Sequence, residues 1–501
     1  MKRLILLSCV LCITIGGSAT VINVPESIWF NCKNGVDSLE ALVRFHKTYK
    51  GRDITIVYPT KKTIYLTISA NSEAISLSQR TNFNGCRIIV KNTSKPSHIL
   101  FHLTTNIAPR SIYVSKRKID SGDFREIPEL SKGTCLLIIN DKMPWVDNRK
   151  GYSYGAKRSD IMLLNNGIAE GTTTTSYNTR TSDPMCRIIS TDNKEKFFCN
   201  LKFERAIEST AITRMLRIEQ QNNVKIENIM TETPQGHHSP TEGDQLIFVY
   251  NSTNILFNNI IIKGSYSSYN KYGYGLSLDN VWNCTFKHLM AEAQWGIFGN
   301  NNVNNINLED CDINRFDIHC YGRDITFRRC TFHNELNSIN TYNQISSVFG
   351  TIQYDNCRFL HFFPILHESS YNAYTGYELV MRNCYMELDK EHNCIIRAGK
   401  LNNEINMRQE LKEKCWPNIT IEGMTIKTNG VTVMYIFKPY EGNDFQGRIG
   451  NLSKINVNGF VTIPKNAALQ LYESTFQLHT YNHVKRNISL PSNIRLRKMI
   501  K

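Results

Sequence analysis

The chain has 501 residues and a formal net charge of +15, with 59 basic residues against 44 acidic ones. This excess favours acidic partners, yet the sequence contains no Lys-rich tract, no Arg-Gly tract and no nucleic-acid-binding motif. Beyond the first 19 residues, no apolar run approaches the roughly 18 residues that a transmembrane helix needs. We therefore expect neither a nucleic-acid partner nor a transmembrane segment, but a monomeric protein whose partner is an acidic polysaccharide.

The first residues predict a secretory signal peptide. Lys2 and Arg3 precede an apolar run from Leu4 to Ile15, and small residues follow up to Ala19, which is the order of a cleaved signal. Cleavage after Ala19 would leave a net charge of 15 − 2 = +13. The stretch that ends at Cys9 also looks like a lipobox, and lipidation there is the alternative. We expect an exported protein that is periplasmic, extracellular or on the cell surface.

Residues 34–66 predict a helix followed by two short strands. Asp37 or Ser38 can cap the helix, apolar residues recur at helical spacing from Leu39 onward, and Gly51 ends it. Two stretches of alternating apolar residues follow before residue 67, as expected for strands. An amphipathic helix before short strands is typical of the N-terminal cap of a β-solenoid.

The strand pattern is looser from residue 110 to 205, where polar stretches separate short apolar ones. We interpret this part as strands carrying long loops, or as a subdomain that lies over one face of the molecule. Regular strand patterns then continue to about residue 480, and residues 481–501 form a basic tail. We predict a single elongated domain over residues 20–480.

A short unit recurs along the second half of the chain, for example Ile-Thr-Phe-Arg-Arg-Cys330-Thr-Phe. Its key position is filled by a small or amide residue, at Asn228, Asn259, Cys284, Cys311, Cys330, Cys357, Cys384, Gly423 and Gly459. These positions are separated by 31, 25, 27, 19, 27, 27, 39 and 36 residues. Self-similarity at such intervals indicates a solenoid, a propeller or a repeat array.

The form of the unit favours one of these architectures. Propeller blades need four antiparallel strands at near-constant spacing, and helical repeats need a 3.6-residue period. Alternating apolar residues with variable intervals suit an all-β chain that forms a parallel β-helix, in which corner loops lengthen while the coil stays constant. We expect the key positions to stack as one internal ladder, with the five cysteines buried as small apolar residues.

The densest group of ionisable and aromatic side chains lies between Asn305 and Phe332, in the rung with the shortest interval. It contains Arg315, Asp317, His319, Tyr321 and Arg323. In a strand, Phe316 and Ile318 would point to one side and Arg315, Asp317 and His319 to the other. We therefore expect these three polar side chains to project outward into a groove lined by basic and aromatic residues.

The coils, the helical N-terminal cap and the signal peptide together resemble the right-handed parallel β-helix proteins of the pectin-lyase-like superfamily. The resemblance covers roughly residues 22–480 and implies a right-handed parallel β-helix with loop insertions, in a group rich in polysaccharide lyases and glycoside hydrolases. The catalytic Asp-Asp and Gly-His-Gly motifs of the polygalacturonase-type hydrolases are absent here. The calcium-binding aspartate cluster of pectate lyases has Asp317 and Asp324 as its nearest counterparts, and we predict no metal site.

Cleavage of a uronate polymer by β-elimination needs a base, an acid and a group that neutralises the carboxylate. We predict His319 as the base and Tyr321 as the acid, with Arg315 or Arg323 on the carboxylate and Asp317 orienting the imidazole. Further side chains near the starts of neighbouring rungs are predicted to bind substrate; they are His238, Asp244, Lys271, Tyr272, Tyr274 and His367. No cofactor is required by the sequence, although calcium dependence is left open.

Two alternatives remain open at this point. In a glycoside hydrolase or transglycosidase, Asp317 and a second carboxylate, Asp244 or Glu368, would flank the scissile bond. A non-catalytic carbohydrate-binding or adhesive β-helix would instead present a flat face lined by aromatic residues. We favour the exported polysaccharide lyase, because of the basic charge and the absence of the hydrolase motifs.

Overall fold

A computed structural model describes most of the chain. The described residues are 20–30, 34–77, 80–95, 97–105, 107–144, 157–171, 184–209, 212–232, 244–263, 273–291, 296–333, 342–345, 348–367, 377–398, 418–431, 433–439, 455–462, 468–472 and 488–489. The predicted signal peptide and nearly all of the basic tail lie outside them. Within the described ranges, no helix is both long and apolar enough to span a membrane.

The N-terminal end of the molecule is covered by helices α1 (Ser27–Phe30) and α2 (Gly35–Thr48). Leu39 and Leu42 of α2 are fully buried against the first coils. The predicted cap at Asp37 or Ser38 is wrong, because Asn34 is extended (φ −158°, ψ 172°) and its side chain accepts the N–H groups of residues 36 and 37. An asparagine outside the helix can therefore satisfy the first turn.

Most of the remaining described chain winds into a right-handed parallel β-helix, as predicted. Each coil contributes one segment to each of three parallel walls, and successive coils pair in register. The first wall contains whole strands and the leading parts of longer ones: β4 (Ile75–Ser76), β6 (Ser97–Thr104), β13 (Ile212–Glu219), β15 (Asp244–Lys263), β16 (Gly273–Ala291), β17 (Gly296–Glu309), β19 (Phe316–Arg328), β21 (Tyr342–Ile345), β24 (Phe363–His367), β26 (Cys394–Ala398), β28 (Val433–Pro439) and β30 (Ala468–Tyr472).

The other two walls are built from the remaining parallel strands and from the later parts of β15, β16, β17 and β19. The second wall contains β1 (Thr20–Asn23), β2 (Ile54–Val57), β22 (Val348–Asp355), β31 (Ile488–Ser489) and the leading parts of β5 (Arg80–Asn92), β12 (Lys196–Arg205), β14 (Asn222–Glu232), β25 (Tyr377–Leu388), β27 (Asn418–Thr428) and β29 (Ile455–Thr462). The third wall contains β3 (Thr63–Ile68), β18 (Asp312–Ile313), β20 (Thr331–His333), β23 (Arg358–Leu360) and the trailing parts of β5, β12, β14, β25, β27 and β29.

Left-handed asparagines turn the chain at the corners between walls. Asn228 and Asn259 have φ angles of 55° and 57°, a conformation that asparagine tolerates better than most residues. The Nδ2 group of Asn259 donates to Oδ1 of Asn228 at 2.8 Å, and Asn228 donates to Asn200 at 2.9 Å. Each corner amide therefore binds the equivalent amide of the preceding coil.

The register corrects the predicted ladder in two ways. Cys311, Cys330, Cys357 and Cys384 stack in one buried row, but they follow the left-handed corner residue rather than occupy it. Cys284 belongs to a different row, since it pairs with an isoleucine on either side, at positions 255 and 306. The prediction that all five cysteines are buried is confirmed. The misalignment arose because both rows are apolar and only a few residues apart in each coil.

A five-stranded antiparallel sheet interrupts the β-helix between β6 and β12. Its strand order is β10 (Ile168–Glu170), β9 (Lys157–Asn165), β8 (Thr134–Pro144), β11 (Met185–Ser190) and β7 (Arg110–Tyr113), and helix α3 (Lys116–Ser121) precedes β8. One side of the sheet packs on α3, and the other packs Leu136, Ile161 and Ile189 against Trp282 of the second wall. We call this unit the insert sheet.

Candidate active site

The ionisable and aromatic group singled out from the sequence, Arg315 to Arg323, lies in β19 and the turn before it. Phe316 and Ile318 are fully buried in the coil, and Arg315, Asp317 and His319 alternate with them outside that core, as the strand pattern predicts. The structure differs from an open groove, because Arg315 is 1% exposed and Asp317 is 0% exposed. Of the three, His319 has the most accessible side chain, at 15%.

Tyr274, two rungs before β19, reaches the buried pair of Arg315 and Asp317 through a slot. The ring of Tyr274, on β16, lies over Gly299 of β17, where a Cβ atom would come within 2.5 Å of the ring. Gly296 similarly borders Arg315, whose Cδ would lie 3.1 Å from an added Cβ. The two glycines thus allow Tyr274 to span two rungs. We call Tyr274, Gly296 and Gly299 the tyrosine slot.

The Tyr274 hydroxyl connects the carboxylate and the imidazole of β19. It lies 3.1 Å from Oδ2 of Asp317 and 2.8 Å from Nε2 of His319, whereas these two groups are 4.0 Å from each other. Arg315 Nε donates to the other carboxylate oxygen at 2.6 Å. When the hydroxyl donates to Asp317, it accepts from the Nε2–H group of His319. The buried carboxylate therefore has a cation on one side and a polar relay to a partly exposed histidine on the other.

A β-bulge sets the position of His319. Asn300 of β17 pairs with Ile318, but the next residue, Asn301, pairs with Cys320, so His319 is an extra residue in β19. A bulge breaks the strict alternation of a strand and re-aims a side chain, and bulges are common next to active sites. This irregularity explains why the imidazole can turn towards Tyr274 while its neighbours keep the register of the coil.

Arg323 does not join this group. It lies on the second wall, where its guanidinium carbon is 5.7 Å from the centroid of Trp282 and Nη1 is 3.8 Å from Oδ2 of Asp160 in the insert sheet. Only 7% of its side chain is exposed. The contacts thus attach the insert sheet to the β-helix. Tyr321, the predicted acid, is in β19, but its side chain lies outside the described part of the structure.

The predicted substrate-binding residues divide into three groups. Tyr274 is brought into the site, where its hydroxyl contacts Asp317 and His319. Asp244 and His367 are placed by their strands on the first wall, two rungs or more from β19 in register, and their side chains lie outside the described part. The remaining residues lie outside the described ranges; they are His238, Lys271 and Tyr272.

Sequence reasoning missed the slot glycines and an acidic neighbour. Glycine at 296 and 299, where other coils carry larger residues, is a signal that a close approach is needed. Asp279 follows Tyr274 on β16, and burial raises the pKa of its carboxyl to about 6, against the opposing effect of Arg187 on the insert sheet.

The described residues contain no group of three or more histidine, cysteine or acidic side chains that could hold a metal ion. The two candidate calcium ligands lie on different walls. Asp317 is paired with Arg315, whereas Asp324 lies at the start of a second-wall segment, accepts the N–H of Thr351 at 3.0 Å and is 3.5 Å from Arg323. Their local partners are those of structural ion pairs.

No protein-family model and no curated protein matches the sequence. Two solved structures are similar to the chain over most of its length. The tailspike gp54 of Acinetobacter baumannii bacteriophage AP22, solved with a capsular saccharide of A. baumannii, is 12% identical, with 87% of this chain and 67% of the tailspike covered and a TM-score of 0.53. The tailspike gp61 of Pseudomonas phage phi297 is 13% identical, with coverages of 89% and 77% and a TM-score of 0.50. The likeness to these structures supports the fold alone, a parallel β-helix.

Proposed function

We propose that the chain is an exported lyase that cleaves an acidic, uronate-containing polysaccharide, with His319 and Tyr274 carrying out the proton transfers. The observation that carries this proposal is the 2.8 Å contact between the Tyr274 hydroxyl and His319 Nε2, on the outer side of the first wall. An imidazole and a phenol within hydrogen-bonding distance of each other can act as a base and an acid for one substrate.

The reaction is a β-elimination. His319 removes the C5 proton beside the uronate carboxylate, the electron pair forms the C4–C5 double bond, and the glycosidic oxygen on C4 leaves with a proton from the Tyr274 hydroxyl. The proton taken by His319 returns the tyrosine to its starting state through their hydrogen bond. The products are a new reducing end and an unsaturated uronate.

Arg315 and Asp317 act behind this pair. Because both are almost completely buried, they are poorly placed to touch a polymer, and we assign them the orientation of the tyrosine and the stabilisation of a protonated His319. Arg315 thus gives up the role on the substrate carboxylate that the sequence predicted for it.

The substrate class is supported by the net charge of +13 after removal of the signal peptide, because a basic surface attracts a polyanion. One structural neighbour was solved with a capsular saccharide, which supports a saccharide as the substrate class. The hydrolase alternative is weaker, since Asp317 is fully buried and paired with Arg315 and could not flank a glycosidic bond.

The proposal is tested by incubating the mature protein with a panel of uronate-containing and neutral polysaccharides. The ultraviolet absorbance of an unsaturated uronate and the number of new reducing ends are followed together. We expect both signals to rise in parallel on one acidic polymer. Reducing ends without the absorbance would instead indicate a hydrolase, and binding without either signal would indicate a binding protein.

Two substitutions then test the assigned residues. Tyr274→Phe keeps the ring in its slot and removes the hydroxyl, and His319→Ala removes the base; each should lower kcat by about 10²- to 10⁴-fold. The matched controls are Tyr385→Phe and His333→Ala, which change the same residue types on the third wall and should leave kcat unchanged. Full activity in both site variants would reject the proposed roles.

A further inference from the structure

Two aromatic side chains stand on the outer side of the first wall, on the N-terminal side of the active site. Phe248 and Tyr250 of β15 alternate with Ile247 and Val249, which are fully buried in the coil. Their rings are nearly parallel, with an interplanar angle of 20° and centroids 5.9 Å apart, and both side chains are half-buried. Adjacent apolar groups that stay accessible on an outer surface can mark a contact site.

An arginine borders this pair on the side away from the active site. Arg217 lies on the preceding rung, in register with Phe248, and its guanidinium carbon is 5.7 Å and 5.9 Å from the two ring centroids. Its Nη2 group is 2.9 Å from Oε2 of Glu219, whose carboxylate also lies 3.5 Å from His102. The cation is therefore held in a fixed place beside the rings. We call Arg217, Phe248 and Tyr250 the aromatic platform.

The platform and the active site belong to one row of outward positions. Phe248 is in register with Ser277, Gly299 and then Asp317 on successive rungs. The single residue between Phe248 and Gly299 of the tyrosine slot is Ser277, whose small side chain is 3% exposed. Three rungs at about 4.8 Å each separate Phe248 from Asp317 by ~14 Å, a distance that an oligosaccharide can span along the wall.

We propose that the aromatic platform is a distal saccharide subsite for the acidic polymer cleaved at Tyr274 and His319. The electron-rich faces of the rings attract the C–H groups on the apolar face of a pyranose ring. The guanidinium of Arg217 supplies a fixed positive charge beside them and forms bidentate contacts with carboxylates. The subsite extends the proposed function and depends on it for the acidic nature of the polymer. The position of the platform depends only on the geometry of β13 and β15.

The test measures how binding depends on the length of the glycan. His319→Ala serves as the background, so that fragments are bound without being cleaved, and the probes are short and long uronate oligosaccharides from polygalacturonate, alginate and hyaluronan. We expect Phe248→Leu/Tyr250→Leu, which keeps apolar bulk but removes the rings, to weaken binding of long fragments about tenfold and of short fragments not at all. Arg217→Gln should act in the same direction and raise KM rather than lower kcat in the active enzyme.

The matched control is Tyr385→Leu on the third wall. Tyr385 is also half-buried and has an arginine, Arg358, 5.4 Å from its ring centroid on the neighbouring rung, but it lies off the active-site row. Any one of three results would overturn the subsite. The control could have the same effect as the platform variants, the platform variants could keep their affinity for long fragments, or the parent protein could bind none of the probes. Length-dependent binding without an unsaturated product would reject the lyase and keep the subsite.

Discussion

The asparagine corners and the tyrosine slot show two opposite uses of the same coil. At the corners, each coil repeats the chemistry of the last, so that Asn200, Asn228 and Asn259 share one conformation and pass one hydrogen bond along the stack. Around the tyrosine slot, adjacent rungs carry exceptions instead, namely two glycines, a bulge and a buried ion pair. A solenoid is stabilised by repetition, so a local cluster of exceptions marks the place where another requirement has shaped the sequence.

The buried ion pair gives the largest expected effect. Asp317→Ala leaves the guanidinium of Arg315 without its carboxylate in a closed site and should lower the free energy of unfolding by about 3–5 kcal/mol, as well as abolish activity. The measurement is urea-induced unfolding followed by circular dichroism. Asp310→Asn is the control at a corner, because its partner Arg329 is exposed and screened by water, and it should leave the unfolding midpoint almost unchanged. Similar losses of unfolding free energy in Asp317→Ala and Asp310→Asn would show that the ion pair in the site is no more important to stability than the one at the corner.

The slot itself is tested by Gly299→Ala. The added Cβ would meet the Tyr274 ring at 2.5 Å, and a displaced hydroxyl should lower kcat by about a hundredfold. Gly51→Ala is the comparison: its Cβ meets nothing within 4 Å, but its φ of +80° is unfavourable for alanine, so stability should fall while kcat stays the same. Comparing kcat with the melting temperature of each variant separates displacement of the tyrosine from general destabilisation.

A buried polar pair in the N-terminal cap can be compared with the tyrosine slot, because it also departs from the repeat but has no role in the proposed reaction. Nε2 of His46 lies 3.0 Å from the Tyr58 hydroxyl, and burial lowers the pKa of His46 to about 3. The folded protein holds this imidazole neutral, so its stabilising effect is complete above the unfolded pKa of about 6.5 and is lost progressively as the pH falls towards 3.

Between pH 7 and pH 5, this histidine should therefore reduce stability by about 2 kcal/mol. His46→Gln, which cannot take up a proton, should show a correspondingly smaller loss over the same range. Urea midpoints at the two pH values measure the difference. An equal pH dependence in both proteins would show that His46 is protonated in the fold, and lyase activity at neutral pH should be the same in both.

The smallest effect is expected at a corner. Asn259→Ala forces a left-handed φ of 57° on alanine and removes the amide bond to Asn228, at a cost of about 1–2 kcal/mol. Asn259→Gly keeps the conformation and loses only the hydrogen bond, so it should cost about half as much. Thermal unfolding distinguishes the two. Equal losses in the two variants would show that the amide ladder, and not the backbone conformation, holds the corner.

Much of the fold could be predicted because its determinants are local and repeated. The alternation of apolar residues predicted the strands, and the recurring unit predicted the stacked coils and the buried cysteines. The exact row of each residue could not be predicted, since Cys284 and Cys311 follow similar apolar patterns yet belong to different rows. Moving a residue by a few positions, from one row to the other, leaves the local apolar pattern almost unchanged. Only the pairing between coils decides which row the residue joins.

The candidate site was predicted only where strand alternation was sufficient. Strand alternation in the sequence predicted that Arg315, Asp317 and His319 lie on the side of β19 away from the apolar core. The role of Tyr274 was not predicted, because its hydroxyl reaches residues 43 and 45 positions further along the chain through a gap left by Gly299. The position of Arg323 was equally beyond local patterns, since it depends on Asp160 in a separate sheet.

The sequence by itself determined the coil, because an apolar residue at every second position and a corner asparagine have the same consequence wherever they occur. The tertiary structure decided which polar groups meet, because contacts between rungs join residues that are tens of positions apart. It also decided which groups are closed to solvent: Arg315 and Asp317 are charged residues on an outward strand face, yet packing beneath Tyr274 buries them. Burial is a property of what lies above a side chain, and the local sequence does not contain that information.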